Sequence, residues 1–369
     1  MGIDLDKIKN TLRTFAEVEA RGVSPLYEHL AAQAAEDDDV AGLLTSARDG
    51  EARGTLLMAT AHRLVQADPI HPLSRYYPSV GGFDGVDADT WPLFRSFLLD
   101  RADRAREIIS SRYTQTNEVR RAALLYPAVA RAAKEAGGRI ALLEVGCSAG
   151  LLLGMDRFSY RYQCDGGDQL TAGPAKATVG LHCALDLAAG AIAPKLPKKI
   201  TVAARAGLDR APVDLGDEEE LAWLEACVWA DQPDRIRLLR TAAAEQARHR
   251  PDLITGDGVD DLAAAAATLP ADLPLVVMTS HVLAYFDQER RAAFLAQLEA
   301  LSAGRPLWWV TEEAYHASLA PVLPGRGELE FAEGGLCVLG IVRWDHGKPD
   351  AHALARTAPH GQRLTWLPL

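Results

Sequence analysis

The stretch RIALLEVGCSAG, residues 139–150, constrains the fold of this chain more than any other. Arg139 to Val145 is a short apolar run bounded by glycines on both sides. That pattern is the mark of a strand buried on both faces, as in a parallel sheet. Before it, apolar residues recur at helical spacing. After it, short apolar runs alternate with helical stretches. The period of the sequence changes at residue 139, and the architecture should change with it.

Residues 1 to about 66 have helical periodicity and little β-branched content. SPLYEHLAAQAAED opens with a serine N-cap and a proline at the first helical position, and EARGTLLMATAHRLVQ continues the pattern. ADPIHPLSRYYPSVGGFDGVDADTW is a long segment dense in Pro and Gly, the kind of loop that is more often functional than idle. PLFRSFLLDRADRAREIISSRY is helical again. So is TQTNEVRRAALLYPAVARAAKEAGG, with Thr116 or Asn117 expected as N-cap, Gly137–Gly138 as the stop and Pro127 as a kink.

Past the first strand the pattern predicts a helix over LLLGMDRF and an inserted hairpin from YRYQCDGGDQ and ATVGLHCAL. Further core strands are expected in KKITVAARAG, PDLIT, LPLVVMTS and PLWWVTEE, with helices between them. The tail reads as antiparallel strands about an HGKPD turn. The expected fold is therefore a doubly wound, mostly parallel, Rossmann-like α/β sheet with a C-terminal antiparallel hairpin, over residues 116–369. An N-terminal helical cap domain, residues 1–115, precedes it.

The bulk numbers exclude several classes. A net charge of −11 disfavours nucleic acid and other polyanionic partners, and a small or neutral substrate fits better. The five cysteines are dispersed without a C-x-x-C pair, so they read as reduced thiols, and no metal is implied. A polar, acidic N-terminus and the lack of a long apolar run point to a soluble, cytoplasmic protein without a membrane span. Oligomeric state cannot be read from these features.

Ligands of open parallel sheets bind beyond the carboxyl ends of the strands, and four such ends carry polar groups here. They are Glu144-x-Gly146, Asp209, Gly256-Asp257-Gly258 and Thr279-Ser280-His281. Gly146 and Gly150 allow a tight turn and close backbone approach. GCSAG also matches the G-x-S-x-G nucleophile elbow, with Ser148 as the attacking group. That hydrolase reading lacks the strands and oxyanion loop that should precede it, although Asp257 and His281 follow in the right order. Arg112, Gln115, Asn117 and Glu118 form a polar run before the first core strand, either a helix cap or part of a pocket. His71, Tyr76 and Tyr77 lie in the long Pro/Gly loop, either as a substrate lid or as packing. His281 is the candidate general base.

ITGDGVDDL and SHVLAYFDQERRAAFLAQLEALSAGRPLWWVTEE resemble the middle and late segments of class I S-adenosylmethionine-dependent methyltransferases. The resemblance covers roughly residues 139 to 345. More narrowly, SPLYEHLA, HPLSRYYPS, QTNEVRRAALLYP, LLEVGCSAGLLL, RAGLDRAPVDL and LEACVWADQPDRIRLL occur in the order seen in an uncharacterised, largely actinobacterial family, domain of unknown function 2332. That family tends to have Asn where this chain has Leu152, and His near Thr279 where this chain has His281.

The methyltransferase resemblance implies S-adenosylmethionine as cofactor, with Glu144 and Gly146 at its methionine end and Ser148 and Gly150 in the binding loop. Asp257 would accept from the adenine amino group. An acid at the end of the second strand would hold the ribose hydroxyls: Asp209, or Asp165 as the rival. Tyr76, Tyr77, Arg112, Gln115 and Asn117 would then lie on the substrate side. The implied activity is methyl transfer to a small molecule. A cofactor-binding protein without transfer chemistry, a serine hydrolase using Ser148, and occupation of the cleft by NAD are the alternatives.

Overall fold

A computed structural model of the chain describes residues 4–331, 335–345 and 347–368. The chain divides into two compact units, Met1–Thr116 with Leu215–Leu239, and Asn117–Asp214 with Arg240–Leu369. The second segment of the helical unit lies deep within what the sequence pattern assigns to the C-terminal domain.

The helical unit is built from short helices whose apolar sides meet in one core. The Pro25–Ala34 helix starts as its sequence dictates: the Ser24 hydroxyl accepts from the Tyr27 amide at 3.1 Å, and Pro25 supplies the first turn. The same hydroxyl donates to Asp231 at 2.6 Å. Gly54–Ala67, Thr90–Leu99 and Ala102–Ser111 follow. The Glu218–Ala226 helix and its continuation place Trp223, Ala226 and Ala230 in this core. Polar contacts fix the inserted segment as well. The Ala230 amide donates to the Tyr27 hydroxyl at 3.2 Å, and the His62 ring meets the Ala226 carbonyl at 3.1 Å. An apolar helix face goes where it can be covered, and proximity in the chain does not decide where that is.

The second unit holds an eleven-stranded sheet. Its strands are β1 Arg139–Val145, β2 Ser159–Cys164, β3 Gln169–Ala172, β4 Gly180–Leu187, β5 Thr201–Asp209 and β6 Asp252–Thr255, then β7 Leu275–Ser280, β8 Leu307–Glu313, β9 Cys337–Asp345, β10 Lys348–Thr357 and β11 Arg363–Trp366. The order across the sheet is β3-β2-β4-β11-β10-β9-β8-β7-β1-β5-β6. The run β6-β5-β1-β7-β8 is parallel throughout; counted in chain order it reads 3-2-1-4-5. The chain leaves β1 to one side for β5 and later returns to the other side for β7, so β1 is the switch point of the sheet.

Strand alternation sorts the side chains onto two faces. Leu143 and Val145 of β1, Val277 of β7 and Trp309 of β8 share a core with Leu262 and Ala265 of one helix and Phe294 and Leu298 of the Gln288–Ser302 helix. The Arg121–Glu135 helix covers the opposite face, where the Trp308 indole donates to Glu135 at 2.9 Å.

Several local expectations are revised. LLLGMDRF forms a 3-10 turn, Leu151–Arg157, not an α-helix. The helix expected from Thr116 or Asn117 begins at Arg121 and runs unbroken through Pro127. β2 pairs antiparallel with β3, whereas GLHCALDL, expected as its hairpin mate, lies parallel to it on the other side. β11 pairs with both β10 and β4 and joins this peripheral layer to the main sheet. The antiparallel pair expected about HGKPD is β9 with β10, β10 also pairs antiparallel with β11, and His346 of the turn lies outside the described residues. All five cysteines are free thiols, and no helix among the described residues is long and apolar enough to cross a membrane.

Candidate functional site

β1 ends in Glu144 and Val145, and the chain turns at once through three left-handed residues. Gly146 (φ 74°), Ser148 (φ 50°) and Gly150 (φ 67°) carry the GCSAG loop over the strand end. Left-handed backbone is cheap for glycine and costly for serine, so Ser148 must be held. Its amide donates to Asp209 Oδ2 at 2.7 Å, and its carbonyl accepts from the Val213 amide at 3.1 Å. Asp209 stands at the end of β5, the immediate neighbour of β1, and its other oxygen accepts from the Ala211 amide at 2.9 Å. A Cβ added at Gly146 would clash with Val282 Cγ2, so the loop and the turn after β7 are in contact.

Glu144 is only 5% exposed, and its Oε2 is buried without a hydrogen-bond partner. Burial first, and the Asp209 carboxylate second, raise its carboxyl well above the usual value, against an opposing pull from Arg121. A buried carboxyl without a partner is expensive, and it marks a place where a cation or a donor is wanted.

The turn after β7 carries His281 in left-handed backbone, φ 56°. Two adjacent acids at the end of β8 clamp it. Glu313 Oε1 accepts from the Val282 and Leu283 amides at 2.7 and 3.1 Å, while Glu312 Oε2 accepts from the Ser280 hydroxyl at 2.8 Å and lies 3.2 Å from His281 Nε2. Thr357 of β10 donates to Glu312 Oε1 at 2.8 Å. Cys337, the first residue of β9, places its sulfur 3.8 Å from His281 Nε2. Burial pushes the Cys337 thiol up, with Glu312 and Glu313 adding to it. Burial alone would raise Glu312 as well, but His281, Arg121 and Ser280 outweigh it and hold the carboxyl low. Burial drives Glu313 up to about 7.

Strand register puts Glu144, Ser280, Glu312, Cys337 and Thr357 on one face of the sheet, the face covered by the helix that begins at Arg121. The Arg121 guanidinium donates to the Pro359 carbonyl at 3.1 Å.

Other expected site residues lie elsewhere. Asp257 follows β6; its Oδ1 accepts from the Val259 and Asp260 amides at 2.8 and 3.2 Å, and it pairs with Arg290 and with Arg210. Asp165 sits on the β2–β3 turn, and six strands separate β2 from β1 in the sheet. Asn117, in the sheet unit, has its Nδ2 buried without a hydrogen-bond partner. Glu118 accepts from the Arg120 amide at 3.1 Å. Arg112 and Gln115 belong to the helical unit, where Arg112 pairs with Glu220 and lies over the Trp223 ring. Tyr76 and Tyr77 are fully packed in that unit's core, Tyr76 donating to Asp87 at 2.6 Å, and the His71 ring lies against Phe97. Their rings are spent on packing.

Sequence reasoning passed over Arg121, Glu312, Glu313 and Cys337. A signal was present for two of them: PLWWVTEE is a fully buried strand that ends in adjacent carboxylates, and buried acids at a strand end require partners. Arg121 and Cys337 come from a helix start and a distant strand start, with no local pattern to single them out.

No curated protein and no solved structure matches the chain. A bacterial protein family described as "Uncharacterized protein conserved in bacteria (DUF2332)" matches residues 9–366. That match covers nearly the whole chain, which therefore belongs to this family.

Proposed function

We propose that the protein binds S-adenosylmethionine at the end of β1 and transfers its methyl group to a small-molecule acceptor. The carrying observation is Glu144 Oε2, a buried carboxylate oxygen without a partner next to the exposed backbone of Gly146. An ammonium group, such as that of the cofactor's methionine part, is the kind of partner it lacks. The 3-2-1-4-5 strand order supports the reading, since doubly wound sheets bind nucleotides at the switch point. Asp209 spends one lone pair of each oxygen on loop amides, which leaves acceptor capacity for two ribose hydroxyls. Asp257 Oδ2, which pairs with Arg210 at 3.7 Å, would accept from an adenine amino group.

When bound, the cofactor supplies an electrophilic methyl on a sulfonium. The chain's own part is to orient the reactants and to present an acceptor-side group at His281. Calorimetric titration with S-adenosylhomocysteine tests the proposal. Binding is expected to weaken by about 1.5–3 kcal/mol in Glu144→Gln, the scale of a hydrogen bond to a charged group. Absence of binding, alongside a clear response to NAD, would overturn it.

The left-handed Ser148 is the observation that favours a hydrolase, since nucleophile elbows are strained at the serine. That reading needs a histidine base at Ser148, whereas His281 Nε2 is turned toward Glu312 and Cys337.

A further inference from the structure

The polar groups at the ends of β7 and β8 and the start of β9 converge on one point. We infer that His281 Nε2, Glu312 and Cys337 form a zinc site with a fourth position open to solvent. The three candidate ligand atoms lie within 4.8 Å of one another. Zinc bonds of about 2.0–2.1 Å to nitrogen or oxygen and about 2.3 Å to sulfur set tetrahedral neighbours about 3.3 Å (N to O) and about 3.6 Å (N to S) apart. His281 Nε2 stands 3.2 Å from Glu312 Oε2 and 3.8 Å from Cys337 Sγ. The carboxylate-to-sulfur spacing, within 4.8 Å, is the one that must close around the ion.

Supporting contacts are already in place, as metal ligands require. Thr357 and Ser280 each donate to Glu312 at 2.8 Å, and the His281 amide donates to the Glu312 carbonyl at 3.2 Å. The His281 side chain is 28% exposed while Glu312 is sealed, so the vacant coordination position faces outward. Ligand type selects the metal: a thiolate with an imidazole and one carboxylate suits zinc, and an all-oxygen ion such as magnesium would leave the sulfur unused.

The charges balance on loading. Entry of Zn²⁺ converts the Cys337 thiol to a thiolate, and its proton leaves to solvent. Zinc, thiolate, carboxylate and neutral imidazole then sum to zero, so loading neutralises the single negative charge that Glu312 carries beforehand. Arg121 opposes the cation. His281 Nε2 would then be a ligand, so the metal and not the imidazole would activate a hydroxyl or thiol acceptor by lowering its pKa. That use rests on the methyl-transfer reading, whereas the binding of the ion does not.

The test uses the full chain, stripped with a chelator and titrated with Co²⁺ and then Zn²⁺. One equivalent of Co²⁺ should produce the near-ultraviolet thiolate charge-transfer band and the visible bands of a tetrahedral ion, and Zn²⁺ should bleach both. Cys337→Ser should remove the charge-transfer band and weaken Zn²⁺ by more than about 100-fold, beyond what loss of a supporting partner costs. Thr357→Val, which keeps all three ligands, should weaken Zn²⁺ by about 10–100-fold. His281→Asn tolerates the left-handed backbone and should also lose the tetrahedral spectrum. Equal affinity in wild type and a folded Cys337→Ser variant, or Co²⁺ bound without a thiolate band, would overturn the site. S-adenosylhomocysteine titrated into the stripped and loaded protein separates the two ideas: loss of that response alone sinks the cofactor reading and leaves the metal standing.

Discussion

Glu144 is a residue whose cost and use are the same feature. Its carboxyl is raised by burial and by Asp209, so the folded protein keeps a proton that the unfolded chain releases near 4.5. The folded state therefore binds more protons above that pH, and stability falls as the pH rises. The slope is at most about 1.4 kcal/mol per pH unit. Glu144→Gln removes the titration, so the variant should melt above wild type near pH 7 and level with it near pH 4. A variant no more stable at neutral pH would mean that the carboxylate has a partner. Ser148 invites the opposite experiment. Ser148→Gly should shift stability and S-adenosylhomocysteine affinity by no more than about 1 kcal/mol, because relief of left-handed strain and the added entropy of an unfolded glycine oppose each other. A fluorophosphonate should fail to label Ser148; labelling would favour the hydrolase.

At the scale of elements, the turns after β1 and β7 form one mechanical unit. Gly146 has a left-handed backbone and no room for a Cβ against Val282. Gly146→Ala should cost about 1–2 kcal/mol for backbone conformation, and overpacking should add about 1–3 kcal/mol. Val282→Ala in the same chain should recover the second term and not the first. A urea double-mutant cycle measures this directly, and strict additivity would refute the contact. The acids of β8 clamp the second turn in a related way. Glu313→Leu would strip the Val282 and Leu283 amides of their acceptor, at about 1–3 kcal/mol for each buried donor left unpaired.

Across the whole molecule, the chain leaves the helical unit, builds β1 to β5, and returns with residues 215–239 before β6. The returning segment supplies Trp223, Ala226 and Ala230 to the helical core, together with the polar partners of Ser24, Tyr27 and His62. A fragment of residues 1–116 therefore lacks part of its own interior. It should retain helical far-ultraviolet circular dichroism, lose near-ultraviolet fine structure and melt without a sharp transition. Adding a peptide of residues 215–239 should restore cooperativity. A cooperatively melting fragment alone would show that the insertion is dispensable.

The residues of RIALLEV and GCSAG dictated a buried parallel strand and a left-handed loop by themselves, because uninterrupted apolar character and glycine's freedom at positive φ act locally. The helix start with a serine cap before Pro25 was legible for the same reason. The helix before β1 starts three or four residues later than its expected cap implies, since no side-chain cap marks its start. The candidate site was half legible. Glu144, Asp209 and His281 each end a strand and are visible from pattern alone. Their surroundings are not: Arg121, Glu312, Cys337 and Thr357 come from four separate elements, and only the sheet order and register bring them onto one face. The home of residues 215–239 was hidden likewise, because an amphipathic helix records that it must be covered and carries no record of what covers it.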